Sequence, residues 1–406
     1  MKAFQKYIGA SVMIAVQAPS AFADDITDFF KNGDAGLDLR YRLEAVDQDG
    51  LTENATASTL LTKLWFKTAN VNGFSGHLEA TNVAAIGGAA YNSTVNGKSA
   101  YPVVPDPTGT EVNQAWASYK SDAFEVRAGR QGINFDDQRF IGTVGWRQND
   151  QTYDSAAATV TTAKGVSATY AYVWNVNRIF GNDHPLGNLH GDTHLFNASY
   201  AGWSYGKLTA YGYLLDFDAP GAAGLSSKTL GIRFAGSAKL SDLVSLGYQI
   251  EYARQSDHGA NPADYAADFW HVGASVSGKG LMAGLDYELL GADSGAAFQT
   301  PLATLHKFNG WADKFLSTPV AGLKDIYATL GYKVPGDAAF SGTSLLAVYH
   351  EFKSDTGDTD YGSEWDFQVE KQVTSYLTLT AKAAFYNADG FATDTTKFWL
   401  VAAARF

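Results

Sequence analysis

The chain has 406 residues, with 42 acidic against 30 basic side chains, a formal net charge of -12 and no cysteine. That balance argues against a nucleic-acid partner, which needs a basic face, and the missing cysteines exclude disulfides and thiolate catalysis. With 41 Gly, only 10 Pro and 14% aromatic residues, the composition points to a long β protein.

The opening residues, "MKAFQKYIGASVMIAVQAPSAFADD", place Lys2 and Lys6 ahead of an apolar run from Tyr7 to Val16. Small residues at Ala21 and Ala23 complete the pattern of a secretory signal peptide over 1–23, cut after Ala23. Residues 24–406 then form a single domain, exported through the inner membrane. The apolar run is too short to cross a hydrocarbon layer of ~30 Å as a helix, and no later window supplies about 18 consecutive apolar residues.

From there the periodicity is two. In "LDLRYRLEA" (37–45), Leu37, Leu39, Tyr41 and Leu43 alternate with Asp38, Arg40, Arg42 and Glu44, which sets an apolar face against a charged one on a single strand. The same alternation returns in 243–253, 281–290, 364–371, 377–386 and 397–406. Short connections (70–73, 120–122, 237–242, 278–280) take turns with long ones (86–109, 178–192, 254–266, 291–322). About eighteen strands of ~10 residues result, the length that spans a bilayer in a barrel with short periplasmic turns and long extracellular loops.

Aromatic residues near the strand ends suit an interfacial girdle. The opposite faces, with Arg40, Arg42, Glu288 and Asp366, are too charged for a packed interior and suit a wet lumen. The expected fold is therefore all-β: a transmembrane antiparallel β-barrel, facing outer-membrane lipid. The last strand puts Phe398, Leu400, Ala402, Ala404 and Phe406 on one face. It resembles the terminal strand of bacterial outer-membrane barrels, which implies the barrel-assembly machinery as a partner. Alternation does not distinguish lipid from a neighbouring subunit, so a homo-oligomer is open.

Two stretches carry a closer resemblance. "GRQGINFDDQRFIGTVGWRQNDQTYD" (129–154) and "FQTPLATLHKFNGWADKFLSTPVAGLKD" (298–325), with "VYHEF" (348–352) and "YGSEWD" (361–366) behind them, resemble the alginate-export family of Gram-negative outer-membrane channels. The resemblance implies eighteen strands, one loop folded into the lumen, and porin-like passive transport without a cofactor. It leaves the solute open: small hydrophilic molecules, or a dedicated path for an alginate-type anionic polysaccharide or an organic acid.

In the first stretch, 124–131 reads as a strand, 132–146 as a long connection and 152–160 as the returning strand. A connection so rich in Arg, Asp and Gln needs water or internal partners. Folded inward, it places Arg130, Arg139 and Arg147 at a constriction, where side-chain charge sets ion preference, with Asp136, Asp137 and Asp154 orienting them; the alternative is that these ion pairs only anchor the loop to the wall. A basic wall is expected from Arg40, Arg42, Lys63, Lys67, Arg127, Lys397 and Arg405. An acidic wall is expected from Asp286, Glu288, Asp325, Glu364, Asp366 and Glu370. Facing one another, the two give a transverse field that favours dipolar solutes; a polyuronate carrier should instead be basic all round.

The connection 291–322 is long enough to be functional, and its His306, Lys307, Asn309, Trp311 and Asp313 suit either a small polar solute or a lid packed on its own aromatics. His184, His190 and His194 read as a solvated outer loop rather than a metal site, since Pro185, Gly187 and Gly191 oppose a helix. No G-x-S-x-G elbow or phosphate loop is present, and carboxylates two apart arise on any lumen-facing strand. A barrel enzyme or an adhesin is the remaining alternative from another class.

Overall fold

Eighteen strands run in chain order and close on themselves. In the computed structural model, which describes residues 27–406 apart from 220, 337 and 338, they are β1 (Asp34–Gln48), β2 (Ala55–Lys67), β3 (Phe74–Ala90), β4 (Gly109–Lys120), β5 (Phe124–Gln131), β6 (Thr152–Thr161), β7 (Val166–Asn177), β8 (Asn188–Trp203) and β9 (Gly206–Leu215). The second half comprises β10 (Ser227–Lys239), β11 (Ser245–Asp257), β12 (Ala266–Gly278), β13 (Leu281–Leu290), β14 (Leu323–Lys333), β15 (Ser344–Lys353), β16 (Asp360–Gln372), β17 (Leu377–Ala388) and β18 (Thr395–Arg405). The leader expected at 1–23 lies outside the described residues.

Each strand pairs antiparallel with its neighbours, and β1 closes the ring against β18, from Asp38 opposite Arg405 to Gln48 opposite Thr395. Closure leaves no free edge, the requirement for a sheet in lipid. Tight turns join the strands at one end, as at Lys279 and Gly280, whose φ values of 49° and 85° match the two-residue hairpin favoured by strand twist. The long connections gather at the other end.

Strand alternation sorts the two faces as expected. Leu64, Leu78, Leu230, Leu285, Leu330 and Leu400 stand exposed on the outside. Aromatic side chains ring both rims, Tyr205, Phe340, Tyr376 and Phe406 at the turn end and Tyr252, Trp270 and Trp365 at the loop end.

Two spans differ from the sequence reading. β3 continues to Ala90 and β8 begins at Asn188, so the connections there are 91–108 and 178–187. His190 and His194 therefore belong to a strand, and only His184 to the loop. His194 packs against Tyr170 and Tyr172 on the outer face, directly opposite Tyr172 in the β7–β8 ladder.

The interior departs further from a uniformly wet lumen. Toward the loop end, Tyr211, Tyr213, Phe269, Leu290, Phe352, Tyr386 and Trp399 point inward and join one buried cluster with Phe140, Phe298 and Phe315. These last three belong to connections, not strands. Two loops have entered the barrel and supply the missing half of a core.

Candidate functional site: the lumen plug

The connections 132–151 and 291–322 both fold inward, where the sequence led us to expect one. They are knitted to each other before they meet the wall. Gly142 N donates to Leu302 O at 2.9 Å and Thr304 N to Gln138 O at 3.1 Å. Gln151 Nε2 donates to both Gly142 O and Leu302 O. Phe140 packs against Tyr211, Phe269 and Phe298, and Phe315 against Phe352 and Phe391. The result is a single plug.

The "WRQND" run (146–150) is the fitting that holds this plug to the early strands. Arg42 Nη1 donates to Trp146 O at 2.5 Å and its Nη2 pairs with Asp106. Gln148 Nε2 donates to Thr59 Oγ1 at 2.8 Å, and Lys63 pairs with Asp150 at 2.6 Å. Arg40 donates to the carbonyls of Gly145 and Arg147. The basic wall at Arg40, Arg42 and Lys63 is thus occupied by the loop, whose carbonyls and Asp150, with Asp106 of the connection 91–108, neutralise it.

The acidic wall is covered in the same way from the other side. Arg139 makes a bidentate pair with Glu288 at 3.0 and 2.8 Å, with Thr300 and Asn309 around the same guanidinium. Asn309 Nδ2 reaches Glu288 at 2.8 Å and Asp325 at 3.1 Å, while His350 Nδ1 lies 3.0 Å from Asp325. Asn309 and Gly310 hold positive φ values of 55° and 84°. That turns the next two backbone N–H groups outward as a small anion nest: Trp311 N donates to Asp366 at 3.1 Å and Ala312 N to Glu364 at 2.6 Å.

A third anchor lies between the walls. Arg147 pairs with Glu44 at 3.0 Å and with Asp313 at 2.8 Å, and Lys397 meets the same Asp313 at 2.7 Å. His306 sits beside it, stacked on Trp146 at 4.5 Å, with Nδ1 2.8 Å from Asp313 and Nε2 2.9 Å from Lys382 Nζ. The Lys382 ammonium rests over Trp311 at 3.6 Å and Trp146 at 4.1 Å.

Several expected partnerships are corrected. Arg130 and Asp154 do pair, at 2.8 Å. Their register, however, puts them on the outer face with Ala128, Ala156 and the exposed Val126 and Val160; Gln131 and Tyr153 are the inward neighbours. The pair stands outside the lumen, where Asn175 and Asn177 complete it. Asp136 and Asp137 do not orient the loop arginines through side-chain pairs. They face Lys207 at 2.9 Å and Arg233 at 3.0 Å, because alternation along β9 and β10 points those two inward at the same height.

Of the remaining wall residues, Arg127 pairs with Glu125 at 2.7 Å over the Trp116 ring. Asp286 meets His271 at 3.1 Å. Glu370 accepts from Thr380 near the turn end, and Lys67 lies exposed at the same end. Arg405 is exposed, 3.9 Å from Asp38. Lys307 donates to Asp137 O at 2.8 Å. Charge is balanced locally almost everywhere along the lumen, so the expected transverse field is cancelled by the plug's own Arg139, Asp150 and Asp313.

Cavities open on both sides of the plug. On the turn side, about 670 Å³ is lined by Ala235, Ser237, Gly247, Ser275 and Gly284, with Asp286 at its edge. On the loop side, about 480 Å³ is enclosed by five connections and floored by Arg147, His306, Asp313 and Lys397.

Burial and the neighbouring Lys382 hold the His306 imidazole well below its ordinary range, so the seated ring is neutral, accepting at Nε2 and donating at Nδ1. The sign follows from linkage. A released loop binds a proton at about pH 6.5 that the seated loop refuses, so plug stability is full above that pH and falls as pH drops below it. The groups facing the ring, Lys382, Arg147 and Lys397 as well as Asp313, make a second cation there costly. Protection factors of the backbone amides in 302–313, corrected for the intrinsic slowing of exchange at lower pH, should fall between pH 7.5 and pH 5 in the parent, and His306→Gln should flatten that fall.

A closed eighteen-stranded barrel with an apolar exterior and loops drawn into its bore has the architecture of the outer-membrane channels. The chain belongs to the alginate-export family, whose model, described as "Alginate export", matches residues 32–289. Its fold is shared with Acinetobacter baumannii OccAB2, at a TM-score of 0.72 and 18% identity over 93% of this chain and 99% of that one. Pseudomonas aeruginosa OpdQ gives 0.69 and 15% over 93% and 99%, and the outer membrane protein opdK of the same species 0.69 and 15% over 92% and 98%. No curated protein matches the chain in sequence.

Proposed function

We propose that this protein is a porin-like outer-membrane channel that lets small hydrophilic solutes diffuse passively around a fixed two-loop plug. The observation that carries the reading is a closed barrel with water-accessible cavities on both sides of a plug whose charges are paired internally. In this reading Arg139 and Arg147 hold the plug, being 2% and 3% exposed, and the ion preference of the bore comes from the accessible pairs Lys207–Asp136, Arg233–Asp137 and Arg127–Glu125. Such near-neutral lining favours polar solutes over ions of either sign.

Catalysis is not part of the proposal, since Glu364 and Asp366 are spent on the backbone of the plug. The proposal includes export by the leader at 1–23, assembly through the strand ending at Phe406, and insertion among outer-membrane lipids. It also leaves a flank for a second copy.

The family description favours a second reading, export of an anionic polysaccharide. Against it stand the loop-side cavity of about 480 Å³ and a bore without a continuous basic wall. Liposome swelling decides between them. Neutral, acidic and basic monosaccharides should enter at similar rates set by size, with alginate oligomers excluded. Selective passage of the acidic oligomers would establish the second reading instead.

A further inference from the structure

The two mouths of the barrel differ in charge. At the loop end, the connections 49–54, 178–187, 216–226, 258–265, 354–359 and 389–394 hold no lysine, and Arg178, over the Phe180 ring at 4.7 Å, is their sole arginine. Each of them presents an exposed aspartate: Asp49, Asp183, Asp218, Asp264, Asp358 and Asp389. None of these makes an ion pair among the described residues, whereas Asp136, Asp137 and Asp313 in the bore all do. No three His, Asp or Glu side chains among the described residues gather closely enough to hold a metal ion. The collar therefore acts as a field, not as a chelate.

At the turn end the sign reverses. β2, β4, β10, β14 and β18 each finish on an exposed cation: Lys67, Lys120, Lys239, Lys333 and Arg405. All five point toward the bore, lying an even number of residues from the inward Lys63, Trp116, Arg233, Asp325 and Lys397. Asp34, Glu125 and Asp38 sit beside Lys67, Lys120 and Arg405, but Lys239 and Lys333 face Ser245 and Ser344. The other described acids of this end, Asp28, Asp122, Asp242 and Glu370, are matched by Lys31, Lys164, Lys279 and Lys371. A basic excess remains.

Like charges around an aqueous mouth concentrate the opposite ion there. Between the mouths the plug's charges are paired, so the middle of the bore imposes no sign of its own. With the loop side positive, K⁺ is driven inward from the mouth that concentrates it and Cl⁻ inward from the other. Both then fill the middle. With the polarity reversed both are drawn out, and the middle is depleted.

We propose that this channel is electrically asymmetric: an acidic collar gathers small cations at the loop mouth, organic amines among them, and current passes more readily from that side. The inference rests on the channel reading and names the solutes that reach the plug first. In about 0.15 M salt the field extends only about 8 Å, so sugars of either charge still enter at rates set by size.

The chain has no cysteine, so single introduced thiols read the field without requiring conduction. In about 0.01 M salt the field reaches about 30 Å. There Thr52→Cys, beside Asp49 and Glu53, should react about tenfold faster with a cationic than with an anionic methanethiosulfonate, relative to a free thiol. Ser277→Cys, in the ladder row of Lys239 at the turn mouth, should prefer the anionic reagent. Both preferences should vanish at about 1 M salt. In planar bilayers at low salt, conductance should be severalfold larger with the loop side positive. Asp49→Asn/Asp218→Asn/Asp264→Asn/Asp358→Asn should remove most of that rectification. Equal reagent rates at Thr52→Cys, or a symmetric current with steps present, overturns the proposal. Alkylation bias without conductance steps sinks the channel reading and leaves the collar standing.

Discussion

Replacing Arg139 by Ala is expected to release the plug from the acidic wall. The substitution removes both hydrogen bonds to Glu288 and strands a carboxylate that is 1% exposed. Breaking one side of a buried ion pair costs about 3–5 kcal/mol, and here the loss falls on the docking of the loops rather than on the strand ladder. Hydrogen exchange at the amides of Trp311 and Ala312, which the wall carboxylates now protect, should accelerate by two orders of magnitude or more. The double variant Arg139→Met/Glu288→Leu should recover most of that protection, because an apolar pair of similar volume leaves no charge stranded. If exchange stays at the parent rate in Arg139→Ala, Asn309 alone is sufficient to hold Glu288.

Excision of 300–318 should have the largest effect on conduction. It removes Thr304, His306, Asn309, Trp311, Asp313 and Phe315, and with them the contacts to Gln138, Lys382, Glu288, Asp366, Arg147 and Phe352. Conductance should rise severalfold. Its selectivity should also change. Uncovered, the carboxylates of Asp325, Glu364 and Asp366 face the bore and attract cations, so the K⁺/Cl⁻ permeability ratio read from reversal potentials should increase. The barrel should remain closed, since no ladder hydrogen bond of the β1–β18 seam involves this segment. An unchanged conductance would mean that solutes pass along a route the plug does not obstruct.

How much of this was legible beforehand depends on what each residue's position is set by. The side on which a strand residue lies follows from a period of two. Arg40, Arg42, Lys63, Lys397, Glu288, Asp325, Glu364 and Asp366 are accordingly all inward. The same rule holds at Arg130, whose motif points to the lumen but whose place in "FEVRAGRQ" does not. Counting from the outward Phe124 and Val126 puts it outside. The inward aromatics also leave a trace in the sequence. "YGYLL" (211–215), "FWHV" (269–272), "YHEF" (349–352) and "KFWLV" (397–401) each set bulky residues on both faces, and a strand apolar on both faces must be covered on both.

What the covering would be lay beyond pattern. Arg139 and Glu288 are 149 residues apart, and Arg147 and Asp313 166. Pairs at such separations are chosen by which loop can reach which wall once eighteen strands have closed. The sequence by itself determined the barrel, its two faces and the composition of its loops, because these depend on local alternation, strand length and turn chemistry. Only the tertiary structure decided that two loops enter rather than one and that their charges are spent on the walls. Each of these depends on where a buried charge finds its nearest partner, and closure of the barrel sets that distance.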